Sequence, residues 1–342
     1  MFNWGILGLG EMAHRFADDL LLMPDARLYA VVSSSTARAR DFAKKYKVPY
    51  AFGNYNDIAH IPDLGAVYIA SPHTAHCAHT LYCLRKGIPV LCEKPFAMNA
   101  AEARRMVKAA KANDTFLMEA MWTRFLPTTQ KVLELIEEGV IGEVKSLKAD
   151  FGFVAPYLPE HRLFNRDLGG GALLDVGVYP LFLSLLLFGK PEEVKAMATF
   201  GKTGVDENCS MLLRYPNNKT AMLHSSIVVE TATEAYIYGD KGCIRMNAAW
   251  YEATSITVMV AGQDPKDYFF AFDSTGYTYE AEEVMRCVSA GKRESDLMPM
   301  GFSLQLMELL DKVRIEAGIF YPNHDCFTKE MLLQYDKGFS MN

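Results

Sequence analysis

The feature that most constrains the fold is a glycine-rich stretch near the start of the chain. The sequence reads GILGLGEMA from Gly5 to Ala13, so Gly8, Gly10 and Ala13 form the pattern G-x-G-x-x-A between an apolar run and a segment with helical spacing. The first glycine permits a tight turn, the second lets the backbone approach a pyrophosphate, and the small third residue allows close packing of helix on strand. The N-terminus of the following helix favours an anion. The alternative is a tight turn that binds nothing.

Short apolar runs alternate with helical patterns over the first third of the chain. The predicted strands are 2–9, 26–34, 65–72, 88–95 and 115–120, and the predicted helices are 11–23, 36–46, 74–86 and 99–113. Strands that alternate with helices indicate a parallel sheet with helices on both faces. We therefore predict an α/β fold whose N-terminal part, residues 1–121, is a doubly wound Rossmann domain.

The pattern changes in the remainder, residues 122–342. After a helix at 127–138, segments of strand length follow one another with turn residues between them, and helices at 279–290 and 301–317 follow these strands. The predicted strands are 144–153, 193–200, 207–215, 220–228, 234–240, 242–248 and 255–261. Strands without intervening helices indicate an α+β domain with a large, open, mainly antiparallel sheet.

Composition and charge exclude several classes of protein. The net charge is −6, and no basic run with interleaved aromatic residues suggests nucleic acid as a ligand. The seven cysteines include no C-x-x-C pair, which indicates a reducing compartment without structural zinc. The most apolar run, Val178–Phe188, is too short to span a bilayer and contains Pro180. No export signal is recognisable, so we expect a cytoplasmic protein without a membrane partner.

The end of the second predicted strand bears on the choice of dinucleotide. Sites for NAD usually place a carboxylate there, whereas this strand ends in Ser33, Ser34 and Ser35 and is followed by Arg38. Hydroxyl groups and a guanidinium suit a 2′-phosphate. We therefore expect NADP rather than NAD; the alternative is that these residues form a solvated helix face.

Two further motifs follow strands of the same sheet, and ligands bind at the carboxyl ends of such strands. They are SPHTAH, residues 71–76, and EKP, residues 93–95. Three histidines begin here, at positions 73, 76 and 79, but carboxylate companions are absent, so we predict hydrogen bonds to the nucleotide and no metal. Lys94 is expected to point into the crevice where a nicotinamide would lie. The alternative is an exposed loop lysine.

In this order, the motifs GLGEMA, SPHTAH, EKP, MWTRF and GGGALLDVGVYP cover nearly the whole chain. Together they resemble the glucose-fructose oxidoreductase/inositol dehydrogenase (Gfo/Idh/MocA) family, and MWTRF with the tyrosine of DVGVY resembles its dimeric dihydrodiol dehydrogenase branch. The resemblance implies that Lys94 lies near the nicotinamide and the reacting carbinol, with a cis peptide after it. It also implies that Asp175 is a site residue, and that Tyr179 stands where many members have histidine.

The residues expected to contact the cofactor are taken from these motifs. They are Gly8, Gly10, Glu11, Met12, Ser33, Ser34, Arg38, Ser71, Pro72, His73, His76, Glu93, Lys94, Trp122 and Arg124. For Trp122 and Arg124, which follow the last strand of the first domain, a packing role is an equal alternative.

The expected catalytic residues are Lys94, Asp175 and Tyr179. A nicotinamide-dependent oxidoreductase needs a protein group that takes the hydroxyl proton while the cofactor takes a hydride. A spacing of four places Asp175 and Tyr179 on one face of a helix, although Pro180 would kink that helix or make it begin later. Tyr179 is the expected proton carrier, with Lys94 as the alternative, and a buried core tyrosine is the alternative for Tyr179 itself.

The segment before the glycine triplet gives the only indication of a substrate. It combines aromatic rings with hydrogen-bond donors, namely Phe151, Phe153, His161 and Arg162. Such a mixture suits a ring that bears hydroxyl groups, either a cyclic diol or an aldopyranose, unless the segment is an interdomain loop.

These observations predict an NADP-dependent dehydrogenase that acts on a CH–OH carbon of a small cyclic substrate. The uncovered face of the C-terminal sheet, together with the resemblance, predicts a homodimer through that sheet. The alternatives are a non-catalytic dinucleotide-binding sensor and an enzyme that passes hydride between two substrates through tightly held NAD.

Overall fold

The computed structural model describes residues 1–271 and 274–325, and the chain divides into two compact units. The N-terminal unit comprises Met1–Gln130 and Ala271–Leu304, and the C-terminal unit comprises Lys131–Phe270 and the described residues from Gln305 onward. The two units therefore alternate along the chain, whereas the sequence suggested one boundary between two domains, after residue 121. Helices α5 (Pro127–Glu137) and α8 (Met300–Ala317) contain two of the points at which the chain passes between units.

A six-stranded parallel sheet forms the N-terminal unit, with the order β3-β2-β1-β4-β5-β6. The strands are β1 (Phe2–Leu7), β2 (Ala26–Val32), β3 (Tyr50–Phe52), β4 (Ala66–Ile69), β5 (Val90–Glu93) and β6 (Leu117–Ala120). The helices are α1 (Glu11–Leu20), α2 (Thr36–Tyr46), α3 (His76–Arg85), α4 (Ala100–Ala112) and, from the later segment, α7 (Tyr277–Ser289). The predicted doubly wound sheet is confirmed. Only β3 was not predicted, because three residues are too few to show a periodic pattern.

The strand order explains where a ligand can bind in this unit. Strands β1 and β4 are neighbours, although β2 and β3 come between them in sequence, so the direction of winding reverses at β1. Ligands of open α/β sheets bind at the carboxyl ends of the strands beside such a reversal. Residues 8–10 and 70–73 follow these two strands and lie at that edge.

An eight-stranded sheet forms the C-terminal unit, with the order β14-β13-β12-β11-β7-β10-β9-β8. The strands are β7 (Val144–Gly152), β8 (Glu193–Phe200), β9 (Asp206–Tyr215), β10 (Lys219–Ser226), β11 (Ala235–Gly239), β12 (Gly242–Met246), β13 (Ser255–Val260) and β14 (Lys266–Phe269). The mainly antiparallel sheet is confirmed, but β7 and β10 pair in parallel. Strand β14 was not predicted, because its sequence KDYF has only four residues and begins with two charged ones.

The GGGALLDVGVYP segment folds into a composite helix in the C-terminal unit. A π-helical turn, Leu173–Gly177, leads directly into helix α6, Val178–Phe188. Pro180 therefore falls in the first turn of the α-helix, where its missing N–H and fixed φ are tolerated. The helical segment Arg166–Phe188 is long and apolar enough to cross a membrane by length and composition. Of its most apolar 18 residues, however, 83% are buried inside the protein. This is a core helix, longer than the apolar run that the sequence indicated.

Candidate active site

The glycine pattern after β1 adopts the geometry that its spacing predicts. Gly8 has a φ of +94°, and a Cβ atom there would lie 2.5 Å from the backbone nitrogen of Ser71, so only glycine fits. Gly10 is the N-cap of α1, and in the part of the chain that the structure describes a Cβ atom there would meet no heavy atom within 4 Å. Ala13 is fully buried. The turn therefore leaves open space in front of the first N–H groups of α1, as a bound phosphate requires. Exposed Glu11 and half-buried Met12 lie in that first turn.

The serines that end β2 have separate structural roles. Ser33 is buried and its hydroxyl accepts a hydrogen bond from the backbone N–H of Ser35, while Ser34 is exposed. The hydroxyl of Ser35 is the N-cap of α2 and accepts from the backbone N–H of Arg38. Of the three serines, Ser34 therefore offers the exposed hydroxyl at this strand end, four residues before the exposed Arg38.

A cleft of about 430 Å³ lies beside this strand end, between α1 and α2. Its lining consists of Leu9, His14, Arg38, Asp41, Phe42 and Lys45. Lys45 donates to the hydroxyl of Tyr46 at 2.9 Å, and a nitrogen of His14 lies 2.9 Å from the same hydroxyl. Burial and the neighbouring Lys45 lower the pKa of His14, which favours its neutral form. The charged side chains that line the cleft are therefore the cations Arg38 and Lys45 and the carboxylate of Asp41. Sequence reasoning found Arg38 and missed Lys45, which lies two helical turns further along α2.

The three histidines after β4 are engaged by the protein itself. Fully buried His76 places Nδ1 2.9 Å from the carbonyl oxygen of Pro95 and Nε2 2.8 Å from that of Ser71, so its ring connects the two loops. A nitrogen of His79 lies 3.0 Å from the hydroxyl of Ser71, and burial lowers the pKa of His79 to about 4. His73 is buried, with its ring 5.8 Å from that of His76. The side chain of His76 therefore supports the two loops, and its contact with the cofactor stays a prediction.

In residues 1–271 and 274–325, no group of three or more His, Cys, Asp or Glu side chains could hold a metal ion. Pro72, which precedes the histidines, is exposed at the sheet edge.

The EKP loop after β5 rests on buried carboxyl groups. Glu93 accepts hydrogen bonds from the hydroxyl of Tyr68 and, at 3.0 Å, from the backbone N–H of Lys94. The peptide between Lys94 and Pro95 is cis, as the resemblance implies. Glu119 on β6 accepts from the backbone N–H of Phe96, and burial raises its pKa to about 8. Buried side chains therefore determine the path of the backbone that carries Lys94.

Trp122 and Arg124 pack inside the N-terminal unit. The ring of Trp122 stacks on that of Tyr277 at 4.8 Å, and only 3% of its surface is exposed. Arg124 is nearly buried, donates to the carbonyl oxygen of Leu297 at 2.9 Å, and has its pKa lowered by burial. These contacts are what the packing alternative requires, while a contact with the cofactor stays a prediction for both residues.

In the C-terminal unit, the π-helical turn brings two predicted site residues together. Asp175 lies within this turn, is buried, and pairs with Arg162 at 2.6 Å between Oδ1 and Nη1. Gly177 packs on β10, where a Cβ atom would lie 2.9 Å from the hydroxyl of Ser225. Such π-helical turns often occur at functional sites, because they redirect side chains within a helix.

Tyr179 follows this turn at the start of α6 and is surrounded by aromatic rings. Its ring lies 5.5 Å from that of Phe151 and 5.4 Å from that of Tyr251, and these two rings stack on each other at 4.0 Å. Phe153 is half-buried, 6.3 Å from Phe151. His161 is exposed on the loop before the glycine triplet. Sequence reasoning missed Tyr251, which is distant in sequence and lies in a short turn, Trp250–Glu252.

Both parts of the chain are similar to known protein families. A model of the oxidoreductase family with an NAD-binding Rossmann fold matches residues 2–121, and a model of the GFO/IDH/MocA C-terminal domain matches residues 129–245. Trans-1,2-dihydrobenzene-1,2-diol dehydrogenase from Danio rerio is 37% identical over 93% of this chain and 98% of its own length. The protein of the same name from Homo sapiens is 34% identical over 94% of this chain and 98% of its own length.

Solved structures give the same fold. An aldose-aldose oxidoreductase from Caulobacter crescentus has a TM-score of 0.85 and 25% identity over 93% of this chain and 97% of its own. A 3-ketoreductase from Actinomadura kijaniata, solved with NADP and TDP-benzene, has a TM-score of 0.84 and 24% identity over 92% of this chain and 98% of its own. The chain therefore belongs to the Gfo/Idh/MocA oxidoreductase family and is a dehydrogenase with an NAD(P)-binding Rossmann domain.

Proposed function

We propose that this dehydrogenase uses NADP to oxidise, or NADPH to restore, a CH–OH carbon of a small cyclic substrate, as a trans-dihydrodiol dehydrogenase or a D-xylose 1-dehydrogenase. The observation that carries the proposal is that Tyr179, four residues after Asp175 on the same helical element, lies against the stacked rings of Phe151 and Tyr251. Flat aromatic walls beside a phenol suit a ring with hydroxyl groups. The names of the diol dehydrogenase relatives support the same class of substrate.

Each side chain has a distinct role in this proposal. The nicotinamide supplies hydride transfer, and the protein must move the hydroxyl proton. Tyr179, in its phenolate form, takes that proton on Oη during oxidation, because its side chain is buried among the aromatic rings while Tyr251 is only half-buried. Asp175, which Arg162 holds at 2.6 Å, orients a substrate hydroxyl. Lys94, held by Glu93 through its backbone, orients the reacting carbinol.

The test of this assignment is turnover by Tyr179→Phe. Rates of NADP reduction would be measured at alkaline pH with trans-benzene dihydrodiol, D-xylose, glucose and inositol. General acid–base catalysis contributes roughly 10² to 10⁴ in rate, so Tyr179→Phe should lose at least about 100-fold in kcat while it keeps its affinity for NADPH. The matched control is Tyr251→Phe, which removes a hydroxyl from the same aromatic cluster. Equal losses in the two variants would contradict the role of Tyr179 and transfer the proton to Lys94.

The preference for NADP rests on the cleft beside β2. The end of β2 carries hydroxyl groups and no carboxylate, and Arg38 and Lys45 both line the cleft. A 2′-phosphate would receive charge-assisted hydrogen bonds from these two cations, whereas the ribose hydroxyl of NAD would lack the usual acidic acceptor. Gly10 leaves the open space that the pyrophosphate needs.

The dissociation constants of NADPH and NADH, measured by fluorescence titration, test this preference without turnover. Each charge-assisted hydrogen bond contributes about 1.5 to 3 kcal/mol, which corresponds to roughly tenfold or more in affinity. We expect Arg38→Ala and Lys45→Ala to weaken NADPH by about that factor and to leave NADH unchanged. Arg40→Ala is the control, because Arg40 is exposed on the same helix outside the cleft lining. Parallel losses for both nucleotides would contradict a 2′-phosphate site.

We also propose a cytoplasmic homodimer that forms through the C-terminal sheet. Helix α6 packs on β7 and β10, while Met197, Leu212 and Met222 are exposed on β8, β9 and β10. Leu212 and Met222 are cross-strand partners and therefore share one face of the sheet. A second copy would cover this apolar surface. The six described cysteines are free, which suits a reducing compartment, and Cys326 lies outside the described residues.

Light scattering tests the dimer, with Leu212→Glu as the variant and Lys111→Glu, a charge change at an exposed residue of α4, as the control. We expect Leu212→Glu to be a monomer and both the wild-type protein and the control to be dimers. A monomeric wild-type protein would contradict the proposal.

A further inference from the structure

Asp206 is a buried carboxyl group that the reaction proposed above does not use. It lies at the start of β9, is fully buried, and accepts a hydrogen bond of 2.7 Å from the backbone N–H of Leu173. Leu173 opens the π-helical turn that carries Asp175 and leads to Tyr179. A carboxylate from a distant strand therefore occupies the anion position at the beginning of this helical element, where free N–H groups favour negative charge.

The glycine triplet is shaped around this carboxyl group. A Cβ atom on Gly171 would lie 2.1 Å from Oδ1 of Asp206, and Gly171 has a φ of +127°. The hydroxyl of Tyr321 donates to the carbonyl oxygen of Gly170 at 2.8 Å, and a Cβ atom on Gly170 would collide with three backbone carbonyl oxygens. The triplet therefore makes room for the protein's own groups, and Asp206 and Tyr321 anchor the turn from two separate segments.

The charged and titratable groups that face Asp206 come from three elements. They are Cys209 on β9, Arg314 on α8, and Tyr321 after α8. Arg314 is buried and also pairs with Asp311 at 3.2 Å and with Asp325. Burial raises the pKa of Asp206 to about 7, although the N–H of Leu173 and the charge of Arg314 oppose this rise. The carboxyl group therefore changes charge near neutral pH.

We propose that Asp206 is a positioning residue, whose ionised carboxylate fixes the glycine triplet and the π-helical turn so that Asp175 and Tyr179 stay oriented for proton transfer. The inference rests on the proposed roles of Asp175 and Tyr179. An ionised acceptor forms a hydrogen bond about twice as strong as a neutral one. When Asp206 gains a proton, its hold on the N–H of Leu173 weakens and the turn loosens.

The test compares kcat of the wild-type enzyme with that of Asp206→Asn from pH 5.5 to pH 9. Asn keeps the shape of the side chain and cannot ionise. A misplaced site residue costs up to roughly 100-fold in rate, and we expect a loss of about tenfold above pH 8. Below about pH 6 the wild-type residue is neutral too, so the ratio of the two kcat values should approach one. The dissociation constant of NADPH should change less than about twofold.

The ratio separates this effect from every other pH dependence of the reaction, because the two enzymes differ only at Asp206. A ratio that does not vary with pH, or a kcat equal to wild type in a folded Asp206→Asn, would overturn the inference. The control is Glu207→Gln on the same strand, which should keep its kcat at all pH values.

Two further variants keep the test decisive. If Asp206→Asn does not fold, Tyr321→Phe removes the other anchor of the turn and should lower kcat in the same direction with NADPH affinity unchanged; a kcat equal to wild type would overturn the inference. If Asp175→Asn and Tyr179→Phe keep full turnover, the proposed function fails. If Asp175→Asn and Tyr179→Phe are inactive while Asp206→Asn and Tyr321→Phe are fully active, the proposed function holds and only the positioning role fails.

Discussion

The chain contains two glycine-rich turns that lead into helices, and they use their glycines for opposite purposes. Among the described residues, a Cβ atom on Gly10 in the turn after β1 would meet no heavy atom within 4 Å, and no side chain caps α1. In the turn before α6, a Cβ atom on Gly171 would meet Asp206 at 2.1 Å, and Asp206 caps the first N–H group. The first helix start is open for an anionic ligand, while the second is filled by an anion of the protein itself.

This difference explains what each turn contributes to a dehydrogenase. An open N–H cradle binds a phosphate group that arrives and leaves with the cofactor. A filled cradle holds the backbone still, which suits a segment whose side chains must keep one geometry during the reaction. Similar glycine patterns therefore indicate ligand binding only when the space in front of them is empty.

The largest effect that would test the comparison is expected from Gly171→Ala. The new methyl group would collide with a buried carboxyl group in a backbone conformation that disfavours Ala, so we expect a loss of roughly 3 kcal/mol or more in the free energy of unfolding. The measurement is urea denaturation followed by circular dichroism. Gly139→Ala is the control, because Gly139 also has a positive φ of 70° but no heavy atom near its Cβ position. It should lose only about 1 kcal/mol. Equal losses would show that no steric conflict exists at Gly171.

A smaller effect, on binding rather than stability, is expected from Gly10→Ala. The methyl group has room in the protein, so the free energy of unfolding should change by less than about 1 kcal/mol. It would occupy the space that a pyrophosphate needs, and we expect the affinity for NADPH to fall by roughly tenfold. Gly8→Ala provides the contrast, because its Cβ would collide with the backbone of Ser71 and should lower stability as well. Unchanged NADPH affinity in Gly10→Ala would place the phosphate elsewhere.

An effect confined to the pH dependence of stability extends the comparison to Glu119, the buried carboxyl group beneath the EKP loop. Its pKa is raised to about 8 by burial, whereas the unfolded chain has a value near 4.5. Between these values the folded state holds a proton that the unfolded state releases, so stability falls as the pH rises from about 4.5 to about 8.

Glu119→Gln should remove this dependence. Between pH 5 and pH 9 the variant should therefore gain up to roughly 4 kcal/mol in the free energy of unfolding relative to wild type. Urea midpoints at pH 5, 7 and 9 measure it, with exposed Glu134→Gln as the control. A wild-type protein whose stability follows the same pH curve as Glu119→Gln would contradict the raised pKa.

Much of the fold could be predicted because its signals are local. Helix α2 was predicted with its observed bounds, Thr36–Tyr46, since Ser35 caps its start and its apolar residues recur at helical spacing. The parallel pairing of β7 with β10 could not be predicted, because it joins strands that are distant in sequence. The short strands β3 and β14 were missed for a different reason, since three or four residues show no periodicity.

The site divides in the same way. The glycine turn after β1 and the site candidates Arg162, Asp175 and Tyr179 could be predicted, because each lies in a segment whose pattern can be read along the chain. The roles of these candidates stay predictions, and the pairing of Arg162 with Asp175 comes from the structure. Only the tertiary structure brought Tyr251 to the ring of Tyr179 and the Asp206 carboxyl group to the backbone of Leu173. Long-range packing decides which buried groups meet, and no spacing within a motif records the far end of such a contact.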